Sequence, residues 1–360
     1  MKKRVLSFLT AAVMTTAMIL SGCSGSQTAA TTAAPASAET KAETTAAAKT
    51  EAATTTAAPA EKKEIVVGFS QVGAESDWRT ANTESMKSTF TEANGYKLIF
   101  DDAQQKQENQ LKAVRNFIQQ DVDYIVIAPV TETGWDTVLQ EAKDAGIPVI
   151  IVDRMINVSD DSLYTAWVGS NFLQEGYDAV AWLDEYLKKN NRADDDINIV
   201  TLQGTIGSSA QIGRTNGVEE KMKDHPKWKM LERQTGEFTQ AKGQEVMESF
   251  LKTYDDIDVV IAENDNMAFG AIDAIKAAGK TCGPKGDITI ISFDAVAAAF
   301  DAMIAGDMNV SVECNPLHGP RVAEIIQKLE KGEKVDKIAY VKEGVFPADT
   351  AAAEKPKRQY

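Results

Sequence analysis

The chain has 360 residues, 43% hydrophobic and 25% charged, a globular composition with enough length for two domains, since a single core rarely grows so large. Its formal net charge is −15, and removal of a leader carrying Lys2, Lys3 and Arg4 makes the rest more acidic still, which argues against nucleic acid or an anionic membrane surface as partner. Only two histidines, His225 and His318, and no paired Cys or Cys/His spacing give no sign of a metal site.

The first segment has three basic residues and then an apolar run from Val5 to Leu20, too short for a typical membrane span and followed by small residues. It reads as an export signal over residues 1–22. The run ends in Leu20-Ser21-Gly22-Cys23, which resembles the lipobox of bacterial lipoproteins and implies that Cys23 carries lipid, anchoring the exported chain to the outer face of the cell membrane or in the periplasm. From Ser24 to about Lys63 the chain has no aromatic and no bulky aliphatic residue, so residues 23–63 comprise the lipidated Cys and a disordered tether. In an exported chain Cys282 and Cys314 are free to oxidise, but their spacing does not pair them.

After Glu64 short β-branched runs alternate with amphipathic segments. The expected strands are Ile65–Phe69, Lys97–Asp101, Tyr124–Ala128, Val149–Val152, Tyr164–Val168, Ile197–Leu202, Lys229–Thr235, Val259–Ala262 and Ile288–Ser292. Segments between them, such as "RTANTESMKSTFTEAN" and "QQKQENQLKAVRNFIQQ", carry apolar residues at helical steps. This alternation predicts α/β architecture with two doubly wound, Rossmann-like parallel sheets in series, one ending near Val168 and the next starting after Asn171. Ligands of such sheets bind beyond the carboxyl ends of the strands.

The loops at those ends read "ESDWR", "DDAQQKQ", "APVTETGW" and "DR" in the first set, and "QGTIGSSAQIGR", "GEFTQ", "ENDNM" and "FDA" in the second. Taken singly, Asp153-Arg154 reads as a solvated ion pair, Asn264-Asp265 as a helix N-cap, and Trp78 or Phe238 as core. Their recurrence points elsewhere. Carboxylates and amides accept from hydroxyls, Arg donates in a fixed geometry, and aromatic rings pack on C–H faces, which together suit a neutral polyol. No "GxSxG" elbow, P-loop or "GxGxxG" after the first strand appears, so binding without a covalent step or cofactor is expected rather than catalysis. Glycoside hydrolysis would rest on paired carboxylates such as Glu75 and Asp77 alone.

"VDYIVIAPV", "EAKDAGIPVIIVDR", "ENDNMAFGAIDAIKAAG" and "ITIISFDA", in this order and spacing, resemble the sugar-binding proteins of bacterial ABC importers related to ribose-binding protein, the type I periplasmic binding-protein fold. The resemblance runs from about Glu64 to Thr350. "VGFSQVG", the "WR" of Trp78-Arg79, "QQKQENQ" and "TGW" are similar to the galactofuranose-binding members. It implies that Glu75, Ser76 and Asp77 line the first loop, that Trp78 lies against a sugar face with Phe238 stacked opposite, that Arg79, Asp153, Arg154 and Arg214 bond its hydroxyls and ring oxygen, and that Asn264 and Asp294 complete the rim. Two departures disfavour ribose: Cys314 stands at or near an amide position, and Trp78-Arg79 replaces paired aromatics. A ligand with an extra hydroxylated arm, such as galactofuranose or a similar aldose, fits better.

The resemblance also implies a three-strand hinge, with crossings near Gly169–Asn171, Cys314–Pro316 and Lys337–Tyr340. One lobe then comprises 64–169 with 315–338, the other 170–314 with 339–350, and 351–360 is a tail. The implied partners of the monomer are a monosaccharide and a membrane permease that reads the closed form. A sugar sensor presenting that form to a membrane receptor is the alternative the sequence leaves open.

Overall fold

Short runs of Val and Ile form the centres of two sheets in the structure, a computed structural model that describes residues 64–360. The export signal, Cys23 and the tether lie outside the described residues. The first sheet holds β1 (Ile65–Gln71), β2 (Tyr96–Asp102), β3 (Tyr124–Ile127), β4 (Val149–Val152) and β5 (Ala166–Gly169). The second holds β6 (Ile197–Gln203), β7 (Trp228–Thr235), β8 (Val259–Ala262), β9 (Thr289–Asp294) and β10 (Val310–Glu313). Two three-residue strands, β11 (Ile338–Tyr340) and β12 (Val345–Pro347), close the edges. The orders are β11-β5-β4-β3-β1-β2 and β12-β10-β9-β8-β6-β7, parallel throughout except that β12 runs antiparallel to β10.

Each strand order reverses beside the first strand of its sheet, so the expected doubly wound architecture is present in both lobes. The central strands are buried on both faces. Ile125, Ile127 and Ile151 pack under α2 (Gln107–Gln119) and α3 (Asp136–Asp144), while Val67, Phe69, Val126 and Ile150 pack on the other side with Val322 and Ile326 of α9 (Gly319–Glu330). The first lobe is completed by α1 (Asp77–Thr89). In the second, Ile199, Ile261 and Phe293 pack against α4 (Phe172–Lys189), and Val200, Val260 and Ile290 against α6 (Gln240–Thr253) and α7 (Asp265–Ala277). The elements α5 (Ser209–Met222), α8 (Ala297–Ala305) and α10 (Ala351–Glu354) finish that lobe.

The chain passes between the sheets three times, after β5, after β10 and between β11 and β12. The third passage differs from expectation. Pairing of β11 with β5 keeps the chain in the first sheet through Tyr340, so a boundary at 338/339 falls inside a strand and the crossing is the stretch 341–344. Nor is 351–360 a loose tail: Ala351 is fully buried, and Arg358 and Tyr360 both bond the carboxylate of Glu313. None of the described helices is long and apolar enough to cross a membrane.

Candidate ligand-binding site

At the carboxyl end of β1 the chain turns into α1, and Ser76 caps that helix by accepting from the Arg79 N–H at 3.1 Å. Capping directs Trp78 and Arg79 inward. Arg79 is buried, with Nε 2.9 Å from Glu75 Oε1, Nη2 2.8 Å from Asp153 Oδ2 and Nη1 donating to Gln71 Oε1 at 3.1 Å. Burial opposes its charge, but Glu75 and Asp153 more than offset that and hold its pKa above the ordinary value. Arg154 is less well paired: Nη1 donates to the Val130 carbonyl at 3.1 Å, while Glu75 and Asp153 oxygens stand 3.8 and 4.0 Å away. Burial, and then repulsion from Arg79, push it down to about 10. It stays charged at neutral pH with donors to spare.

The second lobe answers with Arg214 from α5. Its Nε lies 2.6 Å from Glu175 Oε2, its Nη1 donates to the Glu263 carbonyl, and its Nη2 is 3.4 Å from Asp294 Oδ1. The guanidinium lies over the rings of Phe172 and Phe293, 5.4 and 4.9 Å from their centroids. Two glycines make this geometry possible. A Cβ on Gly217 would stand 2.4 Å from the Leu173 carbonyl, so glycine there lets α4 and α5 meet closely enough to join Arg214 and Glu175. A Cβ on Gly204 would stand 1.9 Å from the Phe238 ring, which occupies that space at the end of β6.

These groups converge on one cavity between the lobes, about 280 Å³ of space including its mouth, lined by Glu75, Ser76, Trp78, Arg79, Asp153, Arg154, Phe172, Ala210, Arg214, Phe238, Asn264, Asp294 and Cys314. Ten of the eleven side chains anticipated from sequence are in that lining. Asp77 is not: it is exposed in the first turn of α1, where its carboxylate faces the helix dipole and its N–H donates to Asn266 Oδ1 across the cleft at 3.0 Å. Phe172, in the first turn of α4, and Ala210, in that of α5, were missed because an apolar residue at a helix start carries no polar signal of a site. Asn264 combines two readings, lining the cavity while its Oδ1 caps α7 at Met267 N–H and its Nδ2 donates to the Phe238 carbonyl.

Three lining residues at loop starts, Asp153, Phe238 and Asp294, have positive φ of 62°, 62° and 106°. Side-chain-bearing residues rarely adopt such angles, and strain of this kind gathers where a side chain must be aimed at a site. Direct contacts also hold the lobes together: Trp78 Nε1 donates to the Cys314 carbonyl at 2.6 Å, Met155 N–H to Ser209 Oγ at 2.7 Å, and Glu132 N–H to the Gly207 carbonyl at 3.0 Å. The cleft is closed. Cys282 and Cys314 are buried, unpaired thiols, the first pushed up to about 11 by burial.

The profile of the family described as "Periplasmic binding protein domain" matches residues 67–334, most of the chain and both lobes. The chain belongs to that family. Among its members, the galactofuranose-binding protein YtfQ of Escherichia coli (strain K12) is 44% identical over 82% of this chain and 92% of its own. A solved structure from Mycobacterium smegmatis, in complex with β-D-fucofuranose, is 45% identical with a TM-score of 0.78, covering 82% of this chain and 95% of that one. The binding component of the arabinose ABC transporter from Shewanella sp. ANA-3, bound to α- and β-L-arabinofuranose, is 47% identical with a TM-score of 0.77 at the same coverages. The sequence resemblance to sugar-binding members of this family therefore stands.

Proposed function

We propose that the chain is the extracytoplasmic solute-binding component of an ABC importer, which closes on one monosaccharide in its furanose form, galactofuranose or a similar aldose, and presents it to a membrane permease. Cys23 would hold it to the membrane by lipid. The observation that carries this reading is the pairing of two arginine–carboxylate groups across one small cavity: Arg79, Arg154, Glu75 and Asp153 from the first lobe, Arg214 and Asp294 from the second. A hydroxyl both donates and accepts, so it can bridge such groups, and a ligand touching both lobes favours the closed state by its differential contacts. A relative named for galactofuranose and two solved with fucofuranose and arabinofuranose support the five-membered ring. No lining residue forms a nucleophile–base pair, and binding alone accounts for every group there.

Thermal shift against galactofuranose, galactose, arabinose, ribose, glucose, xylose and inositol tests the reading. A ligand bound only by the folded state adds about 2.7 kcal/mol at a hundredfold excess over Kd. The expected result is a large shift with galactofuranose or arabinose that Arg154→Ala and Asp294→Ala abolish. A flat panel would overturn it.

A further inference from the structure

Glu343 lies in the third crossing and lines no part of the cavity. Its Oε1 accepts from Ser170 Oγ, in the first crossing, at 2.6 Å and from the Asn315 N–H, in the second, also at 2.6 Å. One carboxyl therefore joins all three connections between the lobes. Ser170 Oγ is in turn 3.2 Å from Cys314 Sγ, and Glu175, Cys314 and Glu343 each bring an atom within 4.8 Å of the other two.

The charges around this carboxyl are unbalanced. Glu175 faces it from α4, with Glu313 at the end of β10 and the Cys314 thiol just beyond; Glu313 is already taken by Arg358 and Tyr360. Arg214 of α5 is bound to Glu175 and shared with Asp294 at the end of β9. Burial, then the charge of Glu175, push the Glu343 carboxyl up to about 8, outweighing the bonds donated by Ser170 and Asn315, which favour its charged form.

We propose that Glu343 is the positioning residue of the hinge, and that the closed arrangement of the lobes depends on its carboxyl carrying a proton. Ionised, it would oppose Glu175 in a water-poor environment, and opening, which hydrates both, relieves the repulsion. The sign follows from linkage: the closed form binds the extra proton, so closure weakens as pH rises toward about 8 and levels off beyond it. The effect reaches the cavity through Glu175 and Arg214.

Small-angle scattering of the ligand-free unit from Ala60 to Tyr360 at pH 6, 7, 8 and 9 provides the test. The wild-type radius of gyration should rise with pH and level off near pH 8, Glu343→Gln should stay compact throughout, and Glu343→Ala should be open throughout, with circular dichroism reporting folding. A second arm, resting on the furanose-binding reading, follows the Kd for L-arabinose, expected to rise by up to about tenfold per pH unit below pH 8 for one linked proton and to lose that slope in Glu343→Gln. A constant wild-type radius, or a Glu343→Gln variant that tracks wild type, would overturn the hinge proposal. Failure of arabinose to bind while the radius behaves as expected would instead count against the sugar reading.

Discussion

Asp153 holds Arg79 at 2.8 Å where both side chains are almost wholly shielded from water. Removing one partner of a buried pair leaves the other uncompensated, so Asp153→Ala should destabilise the fold by about 3–5 kcal/mol in urea unfolding and abolish ligand binding. Asp77→Ala, on the exposed side of the helix that carries Arg79, should stay within about 0.5 kcal/mol with ligand affinity retained. Equal losses in the two variants would contradict the placement of these carboxylates. The inward turn of Glu75 and the outward turn of Asp77 were not legible in "ESDWR", because which of its two acidic residues faces the cavity depends on where the helix begins, and Ser76 as N-cap sets that.

Buried carboxyls also give the fold a pH signature. Burial raises Glu263 to about 7 and Asp265 to about 6, and Glu343 stands at about 8. Each binds a proton more tightly folded than unfolded, so its stabilisation is full below the unfolded pKa and is lost as pH rises through the folded one. His318, lowered to about 4 by burial, acts oppositely, and its contribution is lost as pH falls below about 6.5. Between pH 6.5 and 8 the carboxyls set the slope. Tm should therefore fall between pH 6.5 and 8, and Glu263→Gln should flatten the slope in a calorimetric scan; a rising Tm would contradict the assignment.

Among the elements, the long β-branched runs and amphipathic segments were legible because period and length both speak for them: "YIVI" and "VIIV" can be little but doubly buried strands. The last three strands were not. β10 is four residues with a central Ser, and β11 and β12 are three residues each, too short for any period to register. Their pairing is fixed by tertiary contacts, which is why the third crossing was expected several residues too early. The close approach of elements at glycines was equally hidden. Gly204→Ala should push Phe238 off the end of β6, lowering ligand affinity at least about tenfold while the far-ultraviolet circular dichroism stays native, because the clash falls on a single ring at the cavity. An unchanged affinity would mean that Phe238 does not shape the site.

At the scale of the whole molecule, two similar sheets supply opposite walls, and their unlike charge balance divides the work. The first lobe sets two arginines against two carboxylates, and the second sets one arginine among several protonatable carboxyls that continue to the hinge. The first offers a fixed rim of charge. The second can register closure. Much of the site could be read from strand-end residues, since a parallel sheet gathers them at one edge; the hinge carboxyl could not, because Ser170, Asn315 and Glu343 are far apart in sequence and meet only after all three crossings form. The central claim, that the closed cleft selects a furanose, is most directly tested by carbon NMR of D-galactose labelled at C1 with the unit from Ala60 to Tyr360 added. One bound furanose C1 resonance per chain, drawn from the minor form in solution and absent with Arg154→Ala, is the predicted result; a bound pyranose resonance, or none, would contradict it.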